Sequence, residues 1–164
     1  MILTGTQIKK EIKKGNITVV PFNANGINPN TYNYHLGHFL KIYDHFDDNK
    51  SVFRLIKIPS NGFILTPGQL YLGHTLEIIG SKKYATSLIG RSSMGRLGLF
   101  LQTSANLGHT GEIHQWTLEI VATQRIKIYP EMTIGQVSFW TNLGKIKKYR
   151  GKYEYFNNPQ ECLI

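Results

Sequence analysis

The chain has 164 residues, 41% of them hydrophobic and 18% charged, which suits one globular domain over residues 1–164 and excludes a disordered polymer. A formal net charge of +9 points to anionic partners (nucleic acid, anionic membrane or small polyphosphates) or to general solubility. The single cysteine, Cys162, excludes an internal disulfide and a cysteine-rich zinc site, and no apolar run approaches the ~20 residues that span a bilayer.

The opening residues, Met1-Ile-Leu-Thr-Gly, lack the basic and apolar regions of a signal peptide, so a reducing, cytoplasmic setting without a membrane partner is expected. Residues 6–14 read as an amphipathic helix. Thr6 is its expected cap, Ile8 and Ile12 share a face, and Gly15 stops it. Lys9, Lys10, Lys13 and Lys14 then form its solvated face.

Beyond Gly15 the helix signal nearly vanishes. Short β-rich runs follow at 17–22, 39–43, 52–58, 63–65, 69–79, 84–89, 116–122, 125–129 and 136–140. Turn chemistry separates them, in Pro67-Gly68 and in the Asn/Gly/Pro-rich stretch 23–30. Many short, regularly punctuated strands predict a β-sandwich or barrel. Residues 145–164 lack strand alternation and carry Lys145, Lys147, Lys148, Arg150 and Lys152, which suits a mobile basic lid or a plain basic tail.

The most informative stretch is 90–99, Gly-Arg-Ser-Ser-Met-Gly-Arg-Leu-Gly-Leu, directly after a strand-like run. Ser92 or Ser93 can cap a short helix, and Arg91 and Arg96 add guanidinium forks suited to phosphate oxygens. The residues alone allow two readings: a phosphate cradle, or an ordinary capped turn with surface arginines. Glu119 stands among Trp116, Thr117, Leu118, Ile120 and Val121. A carboxylate in apolar surroundings has its pKa raised and suits proton shuttling, but an outward-facing strand glutamate is equally compatible with the pattern. The remaining histidines, His35, His38, His45, His74 and His114, show no metal-ligand spacing.

These segments resemble the dCTP deaminase family of the dUTPase-like superfamily. The stretch 90–99 is similar to its phosphate-binding signature, and 116–120 (Trp-Thr-Leu-Glu-Ile) to the strand carrying its catalytic glutamate. Weaker matches at 27–37, 63–68 and 129–136 fall in the family's order. The resemblance implies a distorted jelly-roll with β-clip character, assembled as a homotrimer with active sites between subunits. It implies that Glu119 shuttles protons, that Ser92 orients water or a phosphate, and that Arg96 lies near the reacting centre and the phosphates. Arg91 and Ser93 would bind phosphate, Ala105 would line the base pocket, and Leu107, Gly108, His109 and Gly111 would read the pyrimidine edge. Tyr149, Lys152 and Tyr153 would form the lid. Mg²⁺ would arrive with the triphosphate. Zinc is not expected, because the zinc deaminases need cysteine ligands that a single cysteine cannot supply.

Two departures stand out. His109 occupies the position of an aspartate tied to pyrophosphate cleavage, with Glu112 close by, and Glu154 and Phe156 replace lid glutamines. The first departure counts against pyrophosphate cleavage, so the expected activity is dCTP deamination to dUTP and ammonia, with a bifunctional form that releases dUMP as the wider version of that reading. The alternatives are a dUTP diphosphatase and a catalytically inactive nucleotide-binding regulator. Nucleic acid is not expected as a partner, because aromatic and basic residues do not interleave.

Overall fold

Thr4, not Thr6, starts the first helix. In a computed structural model, which describes residues 1–48, 50–102, 104–153 and 156–162, α1 spans Gly5–Lys13 and the Thr4 hydroxyl accepts the Gln7 N–H at 3.4 Å. The earlier start is fixed by tertiary contact. The Gly5 N–H donates to the Pro29 carbonyl at 2.7 Å, and a Cβ at Gly5 would meet the Asn28 oxygen. Ile8 is buried, the four lysines face solvent, and Gly15 ends the helix at φ 72°. Buried Glu11 accepts from Asn16, Gln7 and Lys14. The Asn16 bond above all, opposed by desolvation and helped by Lys14, lowers its pKa to about 2.

The rest is almost entirely antiparallel sheet. In chain order the strands are β1 (Ile17–Val20), β2 (Tyr32–His35), β3 (Phe39–Asp47), β4 (Lys50–Lys57), β5 (Phe63–Leu65), β6 (Leu70–His74) and β7 (Ile78–Ser81). They continue with β8 (Tyr84–Gly90), β9 (Leu99–Leu101), β10 (Leu107–Gly108), β11 (Ile113–His114), β12 (Thr117–Ala122), β13 (Ile126–Ile128) and β14 (Thr133–Thr141). A short helix, α2 (Ser92–Arg96), joins β8 to β9. The sheets run β1-β7-β11, β10-β8-β14-β2, β4-β3-β6-β12-β9 and β13-β5. Tyr32, Tyr34, Leu36, Leu40, Leu118, Ile120 and Phe139 are fully buried among the sheets.

The run expected at 69–79 breaks in two. Thr75 leaves the ladder to donate its hydroxyl to the Glu77 carbonyl at 2.7 Å. The buried Glu77 carboxylate then receives the His35 backbone N–H at 2.9 Å and meets His35 Nδ1 at 2.5 Å. This turn carries β7 into a different sheet from β6. The short strands β9, β10 and β11 were hidden in the sequence, because two or three residues cannot display a period of two.

Candidate active site

Glu119 lies on β12, whose alternation buries Leu118, Ile120 and Ala122 on one face and turns Thr117, Glu119 and Val121 to the other. Its sequence neighbours Leu118 and Ile120 therefore lie behind the carboxylate, while Val121 shares its face. Its immediate setting comes from β9. That strand pairs Leu101 with Ile120, so Gln102 falls level with Glu119.

Gln102 takes up φ 52°, which turns its backbone out of the ladder. Its N–H still donates to the Glu119 carbonyl at 3.2 Å. Its side-chain oxygen replaces the missing ladder acceptor and takes the Glu119 N–H at 2.8 Å. The Gln102 amide nitrogen meanwhile donates to the Ala105 carbonyl at 3.2 Å. Ser104, in the same turn, donates its hydroxyl to Glu119 Oε2 at 3.2 Å. Gln102 and Ser104 are thus the local support of the carboxylate. Their only sequence signal would have been the β9–β12 register.

The face that carries Glu119 has two contrasting surroundings. Toward β3 the register runs Glu119 to Leu72 to Lys41. There the chain's own tail covers it: Glu161 pairs with Lys41, and the Gln160 N–H donates to the Thr117 hydroxyl at 3.0 Å. Against desolvation, the Lys41 hydrogen bond and charge together with a backbone hydrogen bond hold the Glu161 carboxyl below its ordinary range. Toward β9 the next row is Leu70, Val121 and Phe100, and Leu70 and Phe100 are 41% and 44% exposed.

The arginine motif follows β8. Arg91 occupies the N-cap position of α2 with extended backbone and no side-chain cap bond, so neither serine hydroxyl caps the helix. Ser92 and Ser93 are instead its first two residues, and with Arg96 they face solvent while Arg91 is half-buried. Among the described residues none of these four side chains makes a hydrogen bond or ion pair, to Glu119 or to anything else.

Leu107 and Gly108 form β10, which pairs with Ser87 and Thr86 of β8. Leu107 is exposed, whereas Gly108 is buried so tightly that a Cβ would lie 2.3 Å from both Thr86 Oγ1 and the Trp116 ring. The next turn is closed from both ends. The His109 N–H donates to Glu112 Oε2 at 2.5 Å, and the Glu112 N–H donates to the His109 carbonyl at 3.3 Å. Gly111, at φ 105°, supplies the left-handed residue this turn needs and donates to the Ser81 carbonyl at 2.8 Å.

The tail docks on that turn. The Tyr149 N–H donates to the Thr110 carbonyl at 3.1 Å, and the Asn142 amide donates to the Thr110 hydroxyl at 3.0 Å. The Tyr149 ring stacks on the exposed His109 ring, with centroids 5.3 Å apart and planes at 13°. An open cleft results, lined by Lys82, Gly111, Ile113, Lys148, Tyr149 and Arg150. Lys152 and Tyr153 continue the tail on the exposed surface, and Glu154 lies outside the described residues.

This basic cleft and the Arg91–Arg96 segment sit at opposite ends of β8. Seven strand residues at ~3.3 Å each separate them by about 20 Å. Within one subunit the arginine segment and this cleft therefore lie too far apart to hold one small molecule between them.

His35 and His38 take separate carboxylates, Glu77 and, at 3.5 Å, Glu131. No group of three or more His, Cys, Asp or Glu among the described residues could hold a metal ion. No described helix is long and apolar enough to cross a membrane.

A family model described as dCTP deaminase-like matches residues 2–142. The chain belongs to the dCTP deaminase-like family. Relatives span it end to end. A protein of Hathewaya histolytica named "dCTP deaminase, dUMP-forming" is 41% identical, covering 100% of this chain and 97% of its own. A Clostridium beijerinckii protein of the same name is 44% identical over 100% and 96%. In three dimensions the chain resembles the 2'-deoxycytidine 5'-triphosphate deaminase of Agrobacterium tumefaciens, with TM-score 0.70 and 17% identity. That likeness covers 86% of this chain and 48% of the other, about half its length. The mainly β architecture is thus the distorted jelly-roll of the dUTPase-like fold expected of the dCTP deaminase-like family.

Proposed function

We propose that this protein is a dCTP deaminase: dCTP and water give dUTP and ammonia. The observation that carries this reading is the Glu119 carboxylate, bonded by the Ser104 hydroxyl while Gln102 holds the Glu119 backbone, on a half-covered sheet face of a chain in the dCTP deaminase-like family. With Oε2 engaged by Ser104, Oε1 is left to take a proton from water. The resulting hydroxide attacks C4 of the cytosine ring as the C4–N3 double bond becomes a single bond, and Glu119 hands the proton it took from water to N3. Glu119 then takes the proton of the new C4 hydroxyl and passes it to the 4-amino group. The C4–N bond breaks, ammonia leaves and the C4 carbonyl forms. Carboxylates serve such two-way transfers well.

The triphosphate falls to Arg91, Ser92, Ser93 and Arg96, whose side chains, half-buried in Arg91 and exposed in the other three, have no partner among the described residues. Mg²⁺ enters with the triphosphate, as is usual for this ion, and the chemistry is of the kind that uses no zinc, since one cysteine cannot supply the zinc deaminases' ligand set. Ala105, Leu107, Gly108 and Gly111 present backbone groups to the base and sugar. Tyr149, Lys152 and Tyr153 close over the phosphates.

The site is completed between copies of a homotrimer. Two features support this: the ~20 Å that part the arginine motif from the tail cleft along β8, and the apolar Leu70 and Phe100 beside Glu119. A reducing cytoplasmic setting belongs to the same reading.

Release of dUMP is a second reading, favoured by the relatives' names and tested by His109, which stands where the family has an aspartate. Incubation with Mg²⁺ and dCTP or dUTP, followed by separation of the nucleotides, decides between them. Deamination without cleavage gives dUTP, a bifunctional enzyme gives dUMP, and a diphosphatase acts on dUTP alone. Binding without turnover would mark a regulator.

A further inference from the structure

We propose that His109 is a positioning residue that latches the basic tail onto the base-reading turn of its own subunit; this rests on the nucleotide reading above. Residues 142–150 join the turn through two hydrogen bonds to Thr110, which any residue at 109 would permit, through Lys148 against Gly111, and through the near-parallel stack of His109 on Tyr149. The stack is the contact that depends on the side chain at 109, and it holds the residue from which Lys148 and Lys152 extend.

The chemistry of the position favours a ring. An aspartate here would set a carboxylate against the electron-rich face of Tyr149 and would supply no stacking surface. The turn beneath is already fixed by the reciprocal His109–Glu112 bonds and by Ser81 on Gly111, so the ring projects from a rigid base. Lys148 packs against Gly111, where a Cβ would lie 3.1 Å from its side chain. The loop that meets the pyrimidine and the tail that meets the phosphates are therefore ordered by one stack. The histidine that replaces the family's aspartate acquires a role in binding and none in proton transfer.

The test compares the full-length protein with His109→Ala, His109→Phe and Tyr149→Ala. Trypsin cleavage after Lys147, Lys148 and Arg150 without nucleotide reads tail docking independently of any activity. The expected result is cleavage about five-fold faster in His109→Ala and Tyr149→Ala, no further gain in the double variant, and wild-type protection in His109→Phe. In the assay with dCTP, the KM should rise by a similar factor in His109→Ala with kcat held, and return in His109→Phe. Equal cleavage of wild type and His109→Ala, or His109→Phe behaving as His109→Ala, overturns the latch. So does a fall of kcat in both His109 variants at unchanged KM, which would make the ring a proton carrier. If wild type turns over no nucleotide, the cleavage rates still decide the latch, and only the deaminase reading fails.

Discussion

Ser104 and Glu119 stand fifteen residues apart in the chain and one hydrogen bond apart in space: the hydroxyl donates to Oε2 at 3.2 Å. The bond fixes which oxygen is engaged and which is left for water. Ser104→Ala removes it without touching the core, because Ser104 is exposed. The kcat for deamination should fall roughly ten-fold, about the value of one hydrogen bond to a charged group, with KM little changed. Steady-state kinetics check it, and an unaltered kcat would remove Ser104 from the site.

Arg96 has no partner among the described residues and faces solvent. Arg96→Ala should raise the KM for dCTP by about 10- to 100-fold, the loss of one charge-assisted contact. On the proposed reading the lost contact is to the triphosphate, so the effect on dCMP binding should be smaller. Titrations of both nucleotides measure the contrast.

Gly108 has no room for a side chain between Thr86 Oγ1 and Trp116. Gly108→Ala should destabilise the fold by about 1–3 kcal/mol, the usual cost of overpacking, and displace the turn that follows. Denaturant unfolding measures the first effect and nucleotide affinity the second.

His74 is buried, and burial lowers its pKa below 6.5. Its Nδ1 bonds the Thr75 carbonyl, and Nε2 accepts the Phe39 N–H at 3.3 Å, an arrangement that needs the neutral ring. As pH falls through 6.5 the unfolded chain binds a proton that the folded chain refuses. Stability therefore declines from pH 6.5 down to the folded pKa and is flat above 6.5 as far as this group is concerned. His74→Gln should flatten that window in unfolding curves taken between pH 5 and 7.5.

Much of this was legible in the chain, for reasons that differ by residue. Glu119 could be placed on a strand because Leu118, Ile120 and Ala122 alternate with it, yet that alternation also shows why its apolar neighbours do not surround it. The first helix could be read, but its cap could not. Thr4 and Thr6 are equally good caps locally, and the choice is made by Gly5 docking on residues 28–29. Gln102 and Ser104 were invisible because their role arises from the β9–β12 register, a long-range pairing of a three-residue strand. The tail's stack on His109 was invisible for the same reason: forty residues separate two rings that touch only after folding.

The most direct measurement is ammonia release from Mg²⁺-dCTP by the wild-type protein and by Glu119→Gln, with dCTP binding followed in parallel. Wild type should release one ammonia per dCTP consumed. Glu119→Gln should bind dCTP comparably while its turnover falls by about 10²–10⁴-fold. Deamination by Glu119→Gln at the wild-type rate, or none by wild type that binds dCTP, would contradict the assignment.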